Sequence, residues 1–263
     1  MNILETIVEN KKKELHQKKQ DVSINMLAES IYYNRIPISL SNSLREGIGS
    51  GIIAEFKRRS PSKGLINGVA SPLEVAIDYQ LAGASAISIL TDQVFFGGSD
   101  TDLMMVRDAI HIPILRKEFI IDPYQIHEAK AIGADLILLI AACLTPAEVR
   151  TFSLLARELS MEVLLELHDE DELGHICDEV HFVGINNRSL KTFDVDIERS
   201  LAMAMKIPSS KLKIAESGID DPAMIDLFWE NGYSGFLIGE NFMKMENPGM
   251  ALNQFIKKIK PVR

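Results

Sequence analysis

The feature that most constrains this chain is a repeat of form. From about residue 50 a short apolar run, a turn signal and a helix-period segment follow one another again and again. The apolar runs are Gly51–Lys57, Ala86–Leu90, Ile112–Lys117, Leu136–Ala141, Glu162–Leu167, Phe182–Ile185, Leu212–Ala215 and Gly235–Ile238. Most are continuous rather than alternating in hydrophobicity, the pattern of parallel strands covered on both faces. Between them, Ser71-Pro72, Asp122-Pro123, Thr145-Pro146 and Asp221-Pro222 each set a capping side chain before a proline at the first helical position. Gly83, Gly133 and Gly232 fall where a helix must stop before the next strand. Strands spaced by roughly 25–30 residues with a helix in each gap call for right-handed parallel crossovers. Eight such units in 263 residues fit a closed barrel, which typically takes about 250 residues. An open doubly wound sheet meets the same periodicity.

Residues 1–48 lie outside the rhythm. Leu4, Ile7 and Val8 share one helical face, with Lys11–Lys13 beside it and a second apolar set, Leu27 and Ile31, further on. The lysine triplet reads as a solvated helix face. The sharper alternative is that the extension packs across a barrel opening. No linker or low-complexity stretch sets it apart, so one domain is expected over 1–263, with a helical extension at 1–48 and the barrel at 49–263. The fold class expected is therefore α/β, a (β/α)8 TIM barrel with an N-terminal helical extension.

Composition narrows the function. Cys143 and Cys177 lack paired spacing, which argues against a disulfide framework or zinc site and fits a reducing compartment. The stretch MNILETIVENKKKELHQKK has no signal-peptide core. The longest apolar run, Leu136–Leu144, is far short of the ~20 residues a spanning helix needs. A cytoplasmic protein without a membrane partner is expected. The net charge of -9 argues against a nucleic-acid partner, and an anionic small-molecule substrate would need a local cluster of cations. His111, His127, His175 and His181 share no ligand spacing, and no dinucleotide fingerprint follows a strand, so neither metal nor cofactor is expected. Phe228 and Trp229 read as core, and His168 as a helix-entry residue.

In a barrel, side chains at the C-terminal strand ends point into the mouth, where active sites sit. Here those ends carry Glu55 and Lys57, Lys117, Glu166, Asn186 and Arg188, Glu216, and Glu240. Glu55 and Lys57 are two apart and point the same way on a strand. One charged residue at a strand end could serve a rim salt bridge, but a whole ring of them points to a functional site. Ser217-Gly218 and Gly239-Glu240 follow the seventh and eighth strands, where barrels commonly bind phosphate. The residues alone thus imply a phosphate-bearing small substrate and acid–base chemistry by lysine and glutamate.

The block IAEFKRRSPSKG closely resembles the first-strand signature of indole-3-glycerol phosphate synthases. The resemblance continues in order through LTDQVFFGGS, ILRKEFIID, LLELHDEDEL, VGINNRSL, IAESGI and GFLIGENFM, from about residue 50 to 245. It implies a lyase of tryptophan biosynthesis. The reaction converts 1-(2-carboxyphenylamino)-1-deoxyribulose 5-phosphate to indole-3-glycerol phosphate, carbon dioxide and water. By the same resemblance Lys117 is the general acid, Glu166, Glu55 and Lys57 share the remaining acid, base and electrostatic work, and Asn186 and Glu216 orient the substrate. Arg188 is a carboxylate partner. Ser217, Gly218, Gly239 and Glu240 form the phosphate loops, with Lys57 reaching the same anion. Ser60 and Pro61 belong to the loop after the first strand, and Phe96 and Phe119 pack on the anthranilate ring. Glu118 and Ser189 depart from the family pattern, each standing where aspartate is usual. A monomer or weak homo-oligomer is expected.

Three other readings compete. A sugar-phosphate isomerase or epimerase needs one acid–base pair and not the Glu-x-Lys of the first strand. A class I aldolase would use its lysine as a Schiff base. A barrel that binds without turnover has no use for this many matched acids and bases.

Overall fold

A computed structural model describes residues 3–188 and 194–259. Eight parallel strands form a closed barrel: β1 (Ile52–Phe56), β2 (Ala86–Leu90), β3 (Ile114–Lys117), β4 (Leu136–Ile140), β5 (Glu162–Leu167), β6 (Phe182–Asn186), β7 (Leu212–Glu216) and β8 (Gly235–Ile238). Each strand pairs with the next, and β8 returns to β1 with Phe236 opposite Ile52 and Ile238 opposite Ala54. That last pairing rules out the open sheet. All eight predicted strands are present. β3 starts two residues later than predicted because Pro113 has no N–H to give the ladder. β4 stops at Ile140, where a 3₁₀ turn over Ala141–Cys143 begins.

The strands separate two cores. Outward side chains such as Ile52, Ile87, Ile137 and Val183 pack against the helices. Inward ones, Ile53, Ala86, Leu115, Leu138, Leu164, Phe182, Ile214 and Leu237 among them, fill the barrel. Because strand side chains alternate, Glu55, Lys117, Glu166, Asn186 and Glu216 share the inward face, one step nearer the C-terminal end than the apolar layer. The barrel floor is oil and its mouth is charged.

The helices start largely where the caps predict. Ser71, Thr145 and Asp221 accept from the backbone of Glu74, Glu148 and Ala223, each with proline next in the chain. Asp122 departs: Pro123 occupies the cap position, the helix begins at Tyr124, and Asp122 accepts from the Tyr124 N–H. Gly83, at φ 96°, closes its helix in the left-handed conformation a side chain would strain.

The N-terminal extension holds the barrel at both ends. Its helices are α1 (Ile3–Asp21), α2 (Ile24–Ala28) and α3 (Leu40–Arg45). Leu40 is fully buried among Ile53, Leu136 and Phe182 and plugs the floor. Beneath it Glu162 of β5 accepts from the Ser39 and Ser41 hydroxyls and the Leu40 and Ser41 N–H groups, at 2.6 to 3.1 Å. α1 lies over the other end. The lysine triplet does not form a uniformly solvated face. Lys12 and Lys13 are exposed, but Lys11 is buried, 3.0 Å from Asp92 and 3.1 Å from Glu118. Burying an ammonium is costly unless carboxylates meet it, and here two barrel loops supply them. Farther along α1, Lys18 bridges Asp100 at 2.8 Å and Glu128 at 2.7 Å. Among the described residues no helix is long and apolar enough to cross a membrane.

Candidate active site

The mouth encloses a cavity of about 520 Å³. Every residue singled out from the sequence lines it: Glu55, Lys57, Ser60, Pro61, Phe96, Lys117, Phe119, Glu166, Asn186, Arg188, Glu216, Ser217, Gly218, Gly239 and Glu240. Ser189 lies outside the described residues. Ile3, Leu4 and Ile7 of α1 form one wall, so the extension is part of the site and not merely a brace.

At the centre, Lys117 donates to Glu166 Oε2 and to Glu216 Oε2, both at 2.8 Å. Asn186 donates to the other oxygen of Glu166 at 2.9 Å. On the far side Lys57 meets Glu55 Oε1 at 2.6 Å. The backbone was shaped to admit these carboxylates. A Cβ on Gly184 would sit 2.0 Å from Glu216 Oε1, and one on Gly239 would sit 2.6 Å from Glu55 Oε1. Both glycines keep open the space that a carboxylate fills. No periodicity in the sequence could have revealed that role for Gly184.

Burial and charge divide the two central glutamates. Burial alone would raise Glu166, but Lys117 and then His168 hold it well below the usual carboxylate range. Burial raises Glu216 to about 7, with Lys117 opposing and Glu166 and Glu55 adding to the rise. Lys117 is also buried, which favours the neutral amine, yet Glu166, Glu216 and Glu55 keep its ammonium well above the usual lysine range. Three carboxylates around one lysine make a strongly bound proton that one incoming charge can redistribute.

His168 stands at a helix entry, as its sequence position suggests: it precedes the 3₁₀ helix Glu170–His175, and its N–H donates to Glu172. Its side chain also lies in the cavity wall, buried, with Nε2 3.1 Å from Glu166 Oε1. The missed signal was the period of two: Leu164, Glu166 and His168 point the same way even though β5 ends at Leu167. Lys63 and Lys244 are further lining cations that motif reading passed over.

The loops after β7 and β8 close the other side. Ser217 takes φ 67° and Gly218 φ 69°. For serine that conformation costs about 1–2 kcal/mol, and Asn187 restrains the turn by donating to the Ser217 carbonyl at 2.8 Å. Glu240 opens the short helix Glu240–Met243 and lies 3.8 Å from Lys63 and 4.0 Å from Arg188. Phe96 and Phe119 face each other with centroids 5.9 Å apart. Arg58, after β1, donates to the Gly97 carbonyl at 3.1 Å and pairs with Asp102, tying the first loop to the second. The departure Glu118 accepts from Thr91 Oγ1 and its neighbour's N–H at 2.8 Å each and meets Lys11, so its longer side chain is fully used in holding α1.

Comparison with known proteins finds relatives along nearly the whole chain. The family model for indole-3-glycerol phosphate synthase matches residues 4–255. An indole-3-glycerol phosphate synthase of Bacteroides thetaiotaomicron is 47% identical over 261 residues, covering 98% of this chain and 99% of its own. That of a Polaromonas species is 40% identical, covering 96% and 97%. Among solved structures, tryptophan synthase subunit alpha from Legionella pneumophila superposes with a TM-score of 0.59 at 13% identity, over 84% of this chain and 97% of that one. The tryptophan synthase complex from Pyrococcus furiosus gives 0.58 at 17%, over 80% and 98%. At such identities the structures speak for the barrel fold alone. The sequence relatives go further, and the chain belongs to the indole-3-glycerol phosphate synthase family.

Proposed function

We propose that this chain is an indole-3-glycerol phosphate synthase acting in tryptophan biosynthesis, and that it closes, decarboxylates and dehydrates 1-(2-carboxyphenylamino)-1-deoxyribulose 5-phosphate. The observation that carries the reading is the ammonium of Lys117 held between Glu166 and Glu216 on the floor of a cavity with cations on its rim. The substrate has two anionic ends and an aromatic ring, and the cavity supplies Lys57 and Arg188, two phenylalanines and glycine-bearing loops.

Ring closure comes first. The aromatic carbon attacks the sugar carbonyl, and Lys117 gives its proton to the carbonyl oxygen as that bond forms. Positive charge then builds on the anilino nitrogen, where the carboxylates stabilise it. Loss of carbon dioxide restores the ring, and dehydration needs an acid for the leaving hydroxyl and a base for the adjacent proton. Glu166, Glu55 and Lys57 are the groups for these steps, while Asn186 and Glu216 keep Glu166 and Lys117 in line. Arg188 takes the carboxylate through its fork of donors. Phe96 and Phe119 receive the ring, Ser60 and Pro61 cover it, and Ser217, Gly218, Gly239 and the backbone of Glu240 take the phosphate together with Lys57.

Incubation with the carboxyphenylamino sugar phosphate should give indole absorbance and fluorescence with release of carbon dioxide. Folded protein that yields no indole product would leave only the family and the fold. Lys57→Ala should raise KM as well as lower kcat; a fall in kcat alone would remove Lys57 from the phosphate. Trapping with borohydride should give no adduct on Lys117, which separates proton donation from a Schiff base.

A further inference from the structure

His168 has no place in the reaction as assigned above, yet it is one of the most constrained residues of the mouth. Its side chain is 95% buried and lines the cavity, and neither ring nitrogen has an aligned hydrogen-bond partner. Nε2 is nevertheless 3.1 Å from Glu166 Oε1, the oxygen that also accepts from Asn186. Nδ1 is 3.9 Å from Glu172 Oε2 in the turn that follows β5. That glutamate is already engaged, since its Oε2 accepts from the backbone N–H of His168 at 2.5 Å. The backbone of His168 is thus pinned, and its ring is aimed at one of the two carboxylates that share the proton of Lys117. A buried ring whose close carboxylate contact is not an aligned hydrogen bond is costly unless some state of the site uses that contact.

We propose that His168 is a positioning residue for the synthase reaction, whose imidazolium takes up part of the charge of Glu166 and so leaves Lys117 a stronger acid. Glu166 carries one negative charge over two oxygens. Lys117 holds Oε2, and whatever cation stands at Oε1 weakens that hold. Asn186 offers only a neutral dipole there. The groups facing the ring are Glu166 from its own strand, Glu172 from the following turn and Glu216 from β7. The thiol of Cys143, after β4, shares Glu166 and Glu172 as neighbours. Burial favours the neutral imidazole, but Glu166 foremost, then Glu172 and Glu216, hold it above the ordinary histidine value. The charged form therefore persists to higher pH than an ordinary imidazolium does and is lost as pH rises further.

The role rests on the synthase reading, and two measurements keep the two apart. Ring-proton NMR of the full chain, with His168 assigned from His168→Gln, needs no turnover. His168 should titrate above the ordinary histidine value and fall back from that raised position in Glu166→Gln. Equal titration in both proteins would overturn the pairing, whether or not the protein makes an indole product. In the second measurement kcat is followed against pH. The unmodified chain should lose kcat on the alkaline side as His168 deprotonates. His168→Gln should lack that limb, with kcat about tenfold lower below it, about 1.4 kcal/mol of barrier, and KM unchanged. An unaltered limb with unaltered kcat would contradict the role. So would a kcat loss that follows only a lowered unfolding midpoint, with the limb retained.

Discussion

Glu162 and Glu166 stand four residues apart on one strand, both buried and both inside the barrel line, yet they do opposite work. Glu162, at the floor, is saturated: two hydroxyls and two backbone N–H groups end on it, and they belong to a helix start that its charge also favours. Glu166, at the mouth, shares one lysine with a second carboxylate, and the other oxygen of that second carboxylate, Glu216 Oε1, is buried without a hydrogen-bond partner. A charge inside a barrel is therefore not in itself a sign of chemistry. The sign is a set of charges that cannot all be satisfied at once. The floor spends its polar groups on fixing the extension, and the mouth leaves them poised for a ligand.

The contrast breaks most sharply at Lys117. Lys117→Ala should cut turnover by about 10²–10⁴-fold, the usual worth of acid catalysis, while substrate binding stays measurable by titration. Near-normal turnover would make the mouth another structural ion pair. The next largest effect falls on Gly184. Gly184→Ala puts a methyl where Glu216 Oε1 now lies, displacing the carboxylate and with it the lysine. A misplacement of about 1 Å costs on the order of 10²-fold in rate, so steady-state kinetics should show kcat falling far more than the unfolding midpoint does. An unchanged kcat would mean that Glu216 need not stand where it does.

A smaller effect is readable in stability against pH. Glu216 is pushed up to about 7, so the fold prefers its protonated form. The stabilisation from that proton is complete below the ordinary carboxylate value and is lost as pH rises through about 7. Glu166 has the opposite sign: held low, it contributes above the ordinary value and loses its contribution as pH falls through its own depressed one. Between about pH 5 and pH 8 the urea midpoint should therefore decline less in Glu216→Gln than in the unmodified chain. Parallel curves would contradict the raised carboxyl.

Much of this contrast was legible in the sequence, and for different reasons at the two ends. The strands were visible because a parallel strand buried on both faces must be apolar throughout, and glutamate or lysine at its end then stands out, as at Glu55, Lys117 and Glu166. Closure was not visible, because the period of a parallel sheet is the same whether or not its last strand meets its first. Lys11 was hidden in a triplet whose other two lysines are solvated. Only the packing of α1 against loops some 80 and 107 positions away turns one of the three inward. His168 was hidden by its place just past a strand end, where a polar residue before acidic ones reads as the start of a helix. Glu162 opened an apolar run and looked like any strand-edge charge. Its partners are three consecutive residues of the extension, Ser39, Leu40 and Ser41, far away in sequence.

The most direct test of the contrast sets Glu162→Gln beside Glu166→Gln and measures two quantities on each: turnover of the carboxyphenylamino sugar phosphate to indole product, and the urea unfolding midpoint. At the floor, the amide of Glu162→Gln cannot accept what two carboxylate oxygens accept, so stability should fall by about 1–3 kcal/mol with turnover per folded molecule preserved. At the mouth, Glu166→Gln should lose most turnover with stability changed by less than the floor variant's loss. Two variants that lose turnover and stability in the same proportion would contradict the division of the barrel into a structural floor and a catalytic mouth.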